Sequence, residues 1–263
     1  MSTIALVLSA PRRRAARMCG LMAALVVCAA MSTVHAQPAF DAAGVKPGMT
    51  EVEAIAAIQA HRSGGRVQKR TMTYSYSDGV QQLNTPAFLY EIVVMYDGKE
   101  AENFRLYFAP APSESRVVGF TRSVVVASPP TQAQLSSQLG QKYGTPVATG
   151  KNYADLNMVW GEPGKPMCWR TTPKTTSIGQ GEASDIVGLL KRQQAKGNAP
   201  ADLSQCGVAA SATLVGEPVR SLTVRITDYG AWASTQAKAQ QWVEGMREAA
   251  VKSRLGKGAG PKL

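Results

Sequence analysis

Two threonines 81 residues apart, Thr50 and Thr131, constrain this chain more than any other feature, because each opens a helix in the same way. Thr50 has Glu53 three residues on, and Thr131 has Gln134. In such a capping box the threonine hydroxyl accepts from the N3 amide while the N3 side chain reaches back to the cap amide, satisfying two donors a helix start leaves unpaired. After the first box Val52, Ile55, Ala56 and Gln59 recur at helical spacing, Ile58 widens the apolar stripe, and Gly64-Gly65 ends it. After the second, Leu135, Leu139 and Tyr143 share a face, and Gly144 with Pro146 gives the stop.

Strands follow each helix. Thr71 to Ser77 alternates Met72, Tyr74 and Tyr76 against Thr71, Thr73 and Ser75. Ala87 to Tyr96 is apolar on both faces apart from Glu91, as a central strand would be, and Asp97-Gly98 turns it toward Phe104 to Phe108. Pro110 and Pro112 punctuate a loop before Arg116 to Val126. In the second half, strands are expected near Leu156 to Trp160, Met167 to Arg170, Ala209 to Val215 and Val219 to Thr227, with an inserted helix over Ser184 to Lys196. A last amphipathic helix is expected from Ala231 to Val251, with Trp232, Ala239, Trp242, Val243 and Met246 on its core side. The fold class read from this order is α+β: two helix-plus-antiparallel-sheet units over 37–127 and 128–251, with a C-terminal helix. The repeated order suggests a duplicated unit.

The first 36 residues are expected to be an export signal. Arg12, Arg13, Arg14 and Arg17 form a basic start, Met18 to Met31 is uncharged and mostly apolar, and Val34-His35-Ala36 offers small residues before a cut ahead of Gln37. That places the product in the periplasm or outside the cell. A lipid anchor on Cys28 is the alternative, although Val27 stands where such sites want Gly, Ala or Ser. Without the signal, 25 basic residues face 18 acidic ones, a net charge of +7, of which Lys252, Arg254, Lys257 and Lys262 supply four. The body is then too weakly basic for nucleic acid to be an expected partner. Residues 252–263 read as a basic disordered tail with at most weak contact to anionic lipid or glycan. Cys168 and Cys206, the two cysteines outside the signal, are expected to form a disulfide.

The segment Val45-Lys46-Pro47-Gly48-Met49-Thr50-Glu51-Val52 resembles the signature of periplasmic β-lactamase-inhibitor-like domains, shared by small outer-membrane assembly lipoproteins. The Gly-x-Pro that follows the helix in that superfamily stands here after the second helix, as Gly144-Thr145-Pro146, whereas the first runs into His61-Arg62-Ser63. The resemblance implies a non-catalytic scaffold that binds envelope proteins or inhibits an enzyme. It carries over no residue role beyond turn and cap: Gly48 in the turn, Met49 filling space, Thr50 and Glu53 at the helix start.

Chemistry is sparse. One histidine outside the signal, His61, reads as a solvated helix end, and no ligand spacing predicts a metal; no cofactor is expected. There is no Gly-x-Ser-x-Gly elbow. Glu162 and Glu217 each sit in a Gly-Glu-Pro tripeptide; two carboxylates would suit a cell-envelope hydrolase, while Gly and Pro bracketing a surface residue suit a repeated turn. Tyr74, Tyr76, Trp160 and Trp169 are the candidate binding residues, since strand aromatics offer large contact area with few torsions to freeze. The function expected is a protein-binding or inhibitory module; an envelope hydrolase and an envelope-associated structural protein are the alternatives.

Overall fold

Both capping boxes close as the spacing predicts. The computed structural model describes residues 40–168, 191–192, 194–197 and 199–256. Thr50 Oγ1 accepts from the Glu53 amide at 3.3 Å and Glu53 Oε2 accepts from the Thr50 amide at 2.8 Å, opening α1 (Glu51–His61). Thr131 and Gln134 repeat this at 3.2 and 2.9 Å, opening α2 (Gln132–Tyr143). The segment before α1 is held as well: the Gly48 amide donates to Val117 and the Val117 amide to Met49, both at 2.8 Å, with Gly48 at φ +87°. The Gly48-Met49-Thr50 signature is therefore a short backbone ladder running into a cap.

The described residues form ten strands: β1 (Arg66–Met72), β2 (Ser75–Ser77), β3 (Gln82–Asn84), β4 (Phe88–Tyr96), β5 (Glu102–Phe108), β6 (Val117–Val125), β7 (Ala148–Asn152), β8 (Asp155–Gly161), β9 (Val208–Val215) and β10 (Ser221–Asp228). Eight form one antiparallel sheet in the order β1-β4-β5-β6-β10-β9-β8-β7, and β2 pairs with β3 apart from it. Among the described residues, the four sheet strands after α1 (β1, β4, β5 and β6) and the four after α2 are joined only where β6 pairs with β10, from Ser221 opposite Val125 to Thr227 opposite Gly119. The boundary expected near residue 127 thus separates two runs of strands but not two cores. One cluster takes Ile58 from α1, Leu139 and Tyr143 from α2, and Phe104, Phe120, Trp160, Leu214 and Ile226 from five strands.

The alternating stretch 71–77 is two strands, not one. After Met72 the chain leaves the sheet: the Tyr74 amide donates to Thr85 Oγ1 and the Thr85 amide to the Tyr74 carbonyl, both at 2.9 Å. Asp78 Oδ1 then accepts from the Val80 and Gln81 amides and closes the β2–β3 turn. β7 was not legible, because Ala148-Thr149-Gly150-Lys151-Asn152 has low strand propensity and pairs as an edge against β8. Met167 and Cys168 are in no strand, and Trp169 and Arg170 lie outside the described residues. Of the inserted helix, Lys191, Arg192, Gln194 and Ala195 are helical and residues 184–190 lie outside the described residues.

The last helix, α3 (Tyr229–Gly256), is longer than its apolar pattern indicated. Lys252 and Arg254 belong to it rather than to a tail, and Arg254 Nε donates to the Asp78 carbonyl at 3.1 Å; residues 257–263 lie outside the described residues. Its start packs on the sheet face opposite α1 and α2, where Tyr229, Trp232 and Ala233 meet Tyr107, Val118, Cys168 and Cys206. Those cysteines are joined, with Cα atoms 5.5 Å apart.

Candidate binding surface

The aromatics singled out in the sequence do not converge. Trp160 is 1% exposed, stacks near Tyr143 with ring centroids 5.3 Å apart, and donates its indole N–H to the Gly144 carbonyl at 2.8 Å. It is a core residue with a satisfied polar atom, so it presents nothing to a partner. Tyr74 is half-buried against Phe88 and its hydroxyl accepts from Gln236 Nε2 of α3 at 3.0 Å, so it fastens the hairpin to the helix. Burial also pushes the Tyr74 phenol up, with the Gln236 bond opposing. Tyr76 is half-buried in the small hairpin, and Trp169 lies outside the described residues.

The carboxylates of the two Gly-Glu-Pro turns are kept apart by a strand. Glu162 pairs with Val208 at the start of β9: its amide donates to the Val208 carbonyl at 2.8 Å and its Oε2 accepts from the Val208 amide at 3.0 Å. Glu217 follows the end of β9 and accepts from the Gln132 amide at 3.1 Å, serving the start of α2. Seven residue steps from Val208 to Val215 span roughly 23 Å, against the separation of about 5–9.5 Å that paired glycosidase carboxylates need. Both tripeptides act as turns whose glutamate satisfies backbone amides.

His61 is the last residue of α1 and is exposed there, as expected, and it also contacts the sheet. Its Nε2 lies 3.1 Å from Glu102 Oε1, and its ring meets Phe104 edge-on at 6.1 Å. Glu102, 4% exposed, also receives Arg122 Nε at 2.6 Å and has Arg62 at 3.6 Å. This cluster fastens the end of α1 to β5 and β6. Among the described residues no three or more His, Cys, Asp or Glu side chains gather to hold a metal ion.

What the sheet does assemble is a polar face. Along β5, β6, β10, β9 and β8 the residues alternating with core positions form two cross-strand rows. One runs Arg105, Thr121, Arg225, Ser211 and Val159; the next runs Asn103, Ser123, Thr223, Thr213 and Asn157. The rows cross about 19 Å at the usual strand spacing. Ser123 and Thr223 hydroxyls meet at 3.1 Å across the β6–β10 seam, and Thr213 Oγ1 donates to Asn157 Oδ1 at 2.9 Å. Among the described elements, α1 and α2 pack on the other side, while α3 covers this face at the Tyr107 end, where Trp232 stacks on Tyr107 at 5.6 Å; Thr121, Asn157, Val159 and Ser211 are buried, and the accessible part of the face is Asn103, Arg105, Ser123, Thr213, Thr223 and Arg225. Sequence reading missed this surface because every member is an ordinary strand residue until the register sets five strands side by side. The one visible signal was a charge, Arg225, inside the otherwise uncharged strand Leu222-Thr223-Val224-Arg225-Ile226.

Comparison with known proteins gave no match: no family model fits the chain, and neither a curated protein nor a solved structure proved similar to it.

Proposed function

We propose that the chain is an exported, non-catalytic binding or inhibitory module that meets an envelope protein through the polar face of its sheet. The observation that carries this reading is the pair of cross-strand rows over β5, β6, β10, β9 and β8, hydroxyl-, amide- and guanidinium-bearing, on the side away from α1 and α2. A broad rigid sheet holds such groups in place before contact, so little freedom remains to be lost on binding. The resemblance of residues 45–52 to β-lactamase-inhibitor-like domains supports it, since those domains can use a sheet face against partners. Export is supported by the basic-then-apolar leader and by a disulfide, which persists in oxidising compartments. The mirrored strand order about the β6–β10 seam, each half a helix followed by four strands of the large sheet, supports a tandem duplication. The envelope hydrolase has no such support, because its two glutamates are held at opposite ends of β9.

The test is site-specific photocrosslinking in cells. A crosslinker at Asn103, exposed on the polar face, is expected to trap a defined partner, while one at Tyr153, 98% exposed in the β7–β8 turn, is not. Equal capture from both sites, or none from Asn103, would sink the reading.

A further inference from the structure

The large sheet ends on β1, and that edge is accessible. Among the described residues β1 pairs with β4 on one side and has no strand on the other, and Arg66 to Thr71 are all exposed. From Arg66 to Arg70 the register is unbroken, so about 17 Å of regular strand offers backbone donors and acceptors to whatever lies alongside. The opposite edge, β7, has five residues against seven and carries Gly150, which gives an incoming strand no side chain to pack on.

Each side of β1 shows a different chemistry. Val67 and Lys69 stand opposite Val94 and Ile92, which face the α1/α2 core. Arg66, Gln68 and Arg70 alternate with them and lie on the polar side. There Arg70 and Arg105 both meet the buried carboxylate of Glu91, at 2.8 and 3.2 Å. Arg66 lies 3.7 Å from Asp97 with both side chains mostly exposed, an ion pair of the kind that contributes little. On the core side α1 lies over this edge. From one flank of the helix His61 reaches Glu102 of β5, and from the other Glu51 reaches Lys69 of β1. At about 100° per residue Ile55 and Val52 continue the Glu51 flank, and Val52 is 76% exposed.

We propose that the β1 edge accepts an extended segment of a protein partner as an added strand, with acidic and apolar side chains in alternation. The acidic set would stand beside Arg66 and Arg70, and the apolar set beside Val67 under the Val52 flank of α1. In strand addition the main chain supplies the bonds and alternate side chains supply the selectivity. A second copy of this chain fits poorly. Antiparallel pairing of two β1 edges about Gln68 sets Arg66 opposite Arg70, and like charges placed opposite one another oppose pairing. This surface is distinct from the polar face and does not depend on the reading given for it.

The experiment follows backbone amide NMR signals of the full chain during titration with the peptide Glu-Val-Glu-Val-Glu-Val-Glu. Saturable shifts are expected over Val67 to Arg70, weakening as sodium chloride is raised. Arg66→Glu is expected to bind the peptide about threefold or more weakly, and Val52→Ser more weakly than the unaltered chain. Unchanged β9 and β10 signals check that both variants are folded. Shifts absent from β1, or centred on β7, overturn the site. An equal response to Lys-Val-Lys-Val-Lys-Val-Lys overturns the acidic assignment, and equal binding by a backbone N-methylated copy of the acidic peptide overturns strand addition. A dimer in sedimentation that Arg66→Glu disrupts would put a second copy on the edge and overturn the partner. In cells, a photocrosslinker at Gln68 is expected to link to a segment with acidic residues at alternate positions, read by mass spectrometry of the linked peptide. Capture of this chain itself, of a basic segment or of nothing overturns the assignment to such a partner.

Discussion

A carboxylate as deeply placed as that of Glu102 has to be neutralised where it stands, and the arrangement around it shows how single residues tie elements together. Arg122 Nε at 2.6 Å carries most of that task, with His61 and Arg62 arriving from the end of α1. Removing the partner of a buried charge leaves the charge uncompensated, so Arg122→Met is expected to lose about 3–5 kcal/mol in urea denaturation, and the double variant Arg122→Met with Glu102→Leu to recover much of it. Asp228 poses the opposite case. Burial raises its carboxyl above the usual range and nearby Glu162 adds to this, while the hydrogen bond from the Ala231 amide opposes both. The folded chain therefore holds that proton more tightly than the unfolded chain does, and the site's contribution to stability falls as pH climbs from the ordinary carboxylate range toward the raised value. Asp228→Asn keeps an oxygen for the Ala231 amide and cannot ionise. Urea midpoints should show it gaining on the unaltered protein as pH rises from about 4 to about 7, where carboxylates ordinarily ionise.

At the scale of elements, α3 is positioned by a single missing side chain at its start. A Cβ on Gly230 would stand 2.4 Å from the Cys206 carbonyl oxygen and 2.7 Å from that of Ser204. Both obstacles are backbone, and Cys206 is tethered through its disulfide, so neither can swing aside. Gly230→Ala is expected to cost about 1–3 kcal/mol, the range for overpacking a tight site, with the loss read by thermal unfolding. Near-ultraviolet circular dichroism from Trp232 and Tyr107 should weaken at the same time. Gly48 is a different kind of glycine. Nothing lies within 4 Å of where its Cβ would be, and its φ of +87° alone excludes other residues at low cost.

For the whole molecule the decisive join is the β6–β10 seam. Both halves of the sheet contribute to one core, since Phe104 and Phe120 share it with Val224, Ile226 and Leu214. A chain built this way should unfold in a single transition, because neither half keeps an apolar face covered once the other leaves. Thr223 sits mid-seam, opposite Ser123 on one side and Thr213 on the other. Thr223→Pro removes a donor inside a central strand and is expected to cost about 3 kcal/mol or more. The check is a denaturation curve that shifts as one step; two separated steps would show that the halves are independent.

Local rules decided a good part of this protein. Thr50, Glu53, Thr131 and Gln134 set the helix starts because a capping box depends only on residues three apart, and the strands β4, β5, β6, β8, β9 and β10 were legible because alternation is a property of neighbours. The disulfide was legible because Cys168 and Cys206 are the two cysteines in the sequence after residue 36. Tertiary structure alone decided the rest. The break after Met72 depends on Thr85 pairing with Tyr74, and the burial of Trp160 on Tyr143 and Gly144 coming under it. The polar face depends on a register that sets Arg105, Thr121 and Arg225 abreast. These are contacts between residues from 11 to more than a hundred positions apart, and no periodicity along the chain encodes which strand will lie beside which.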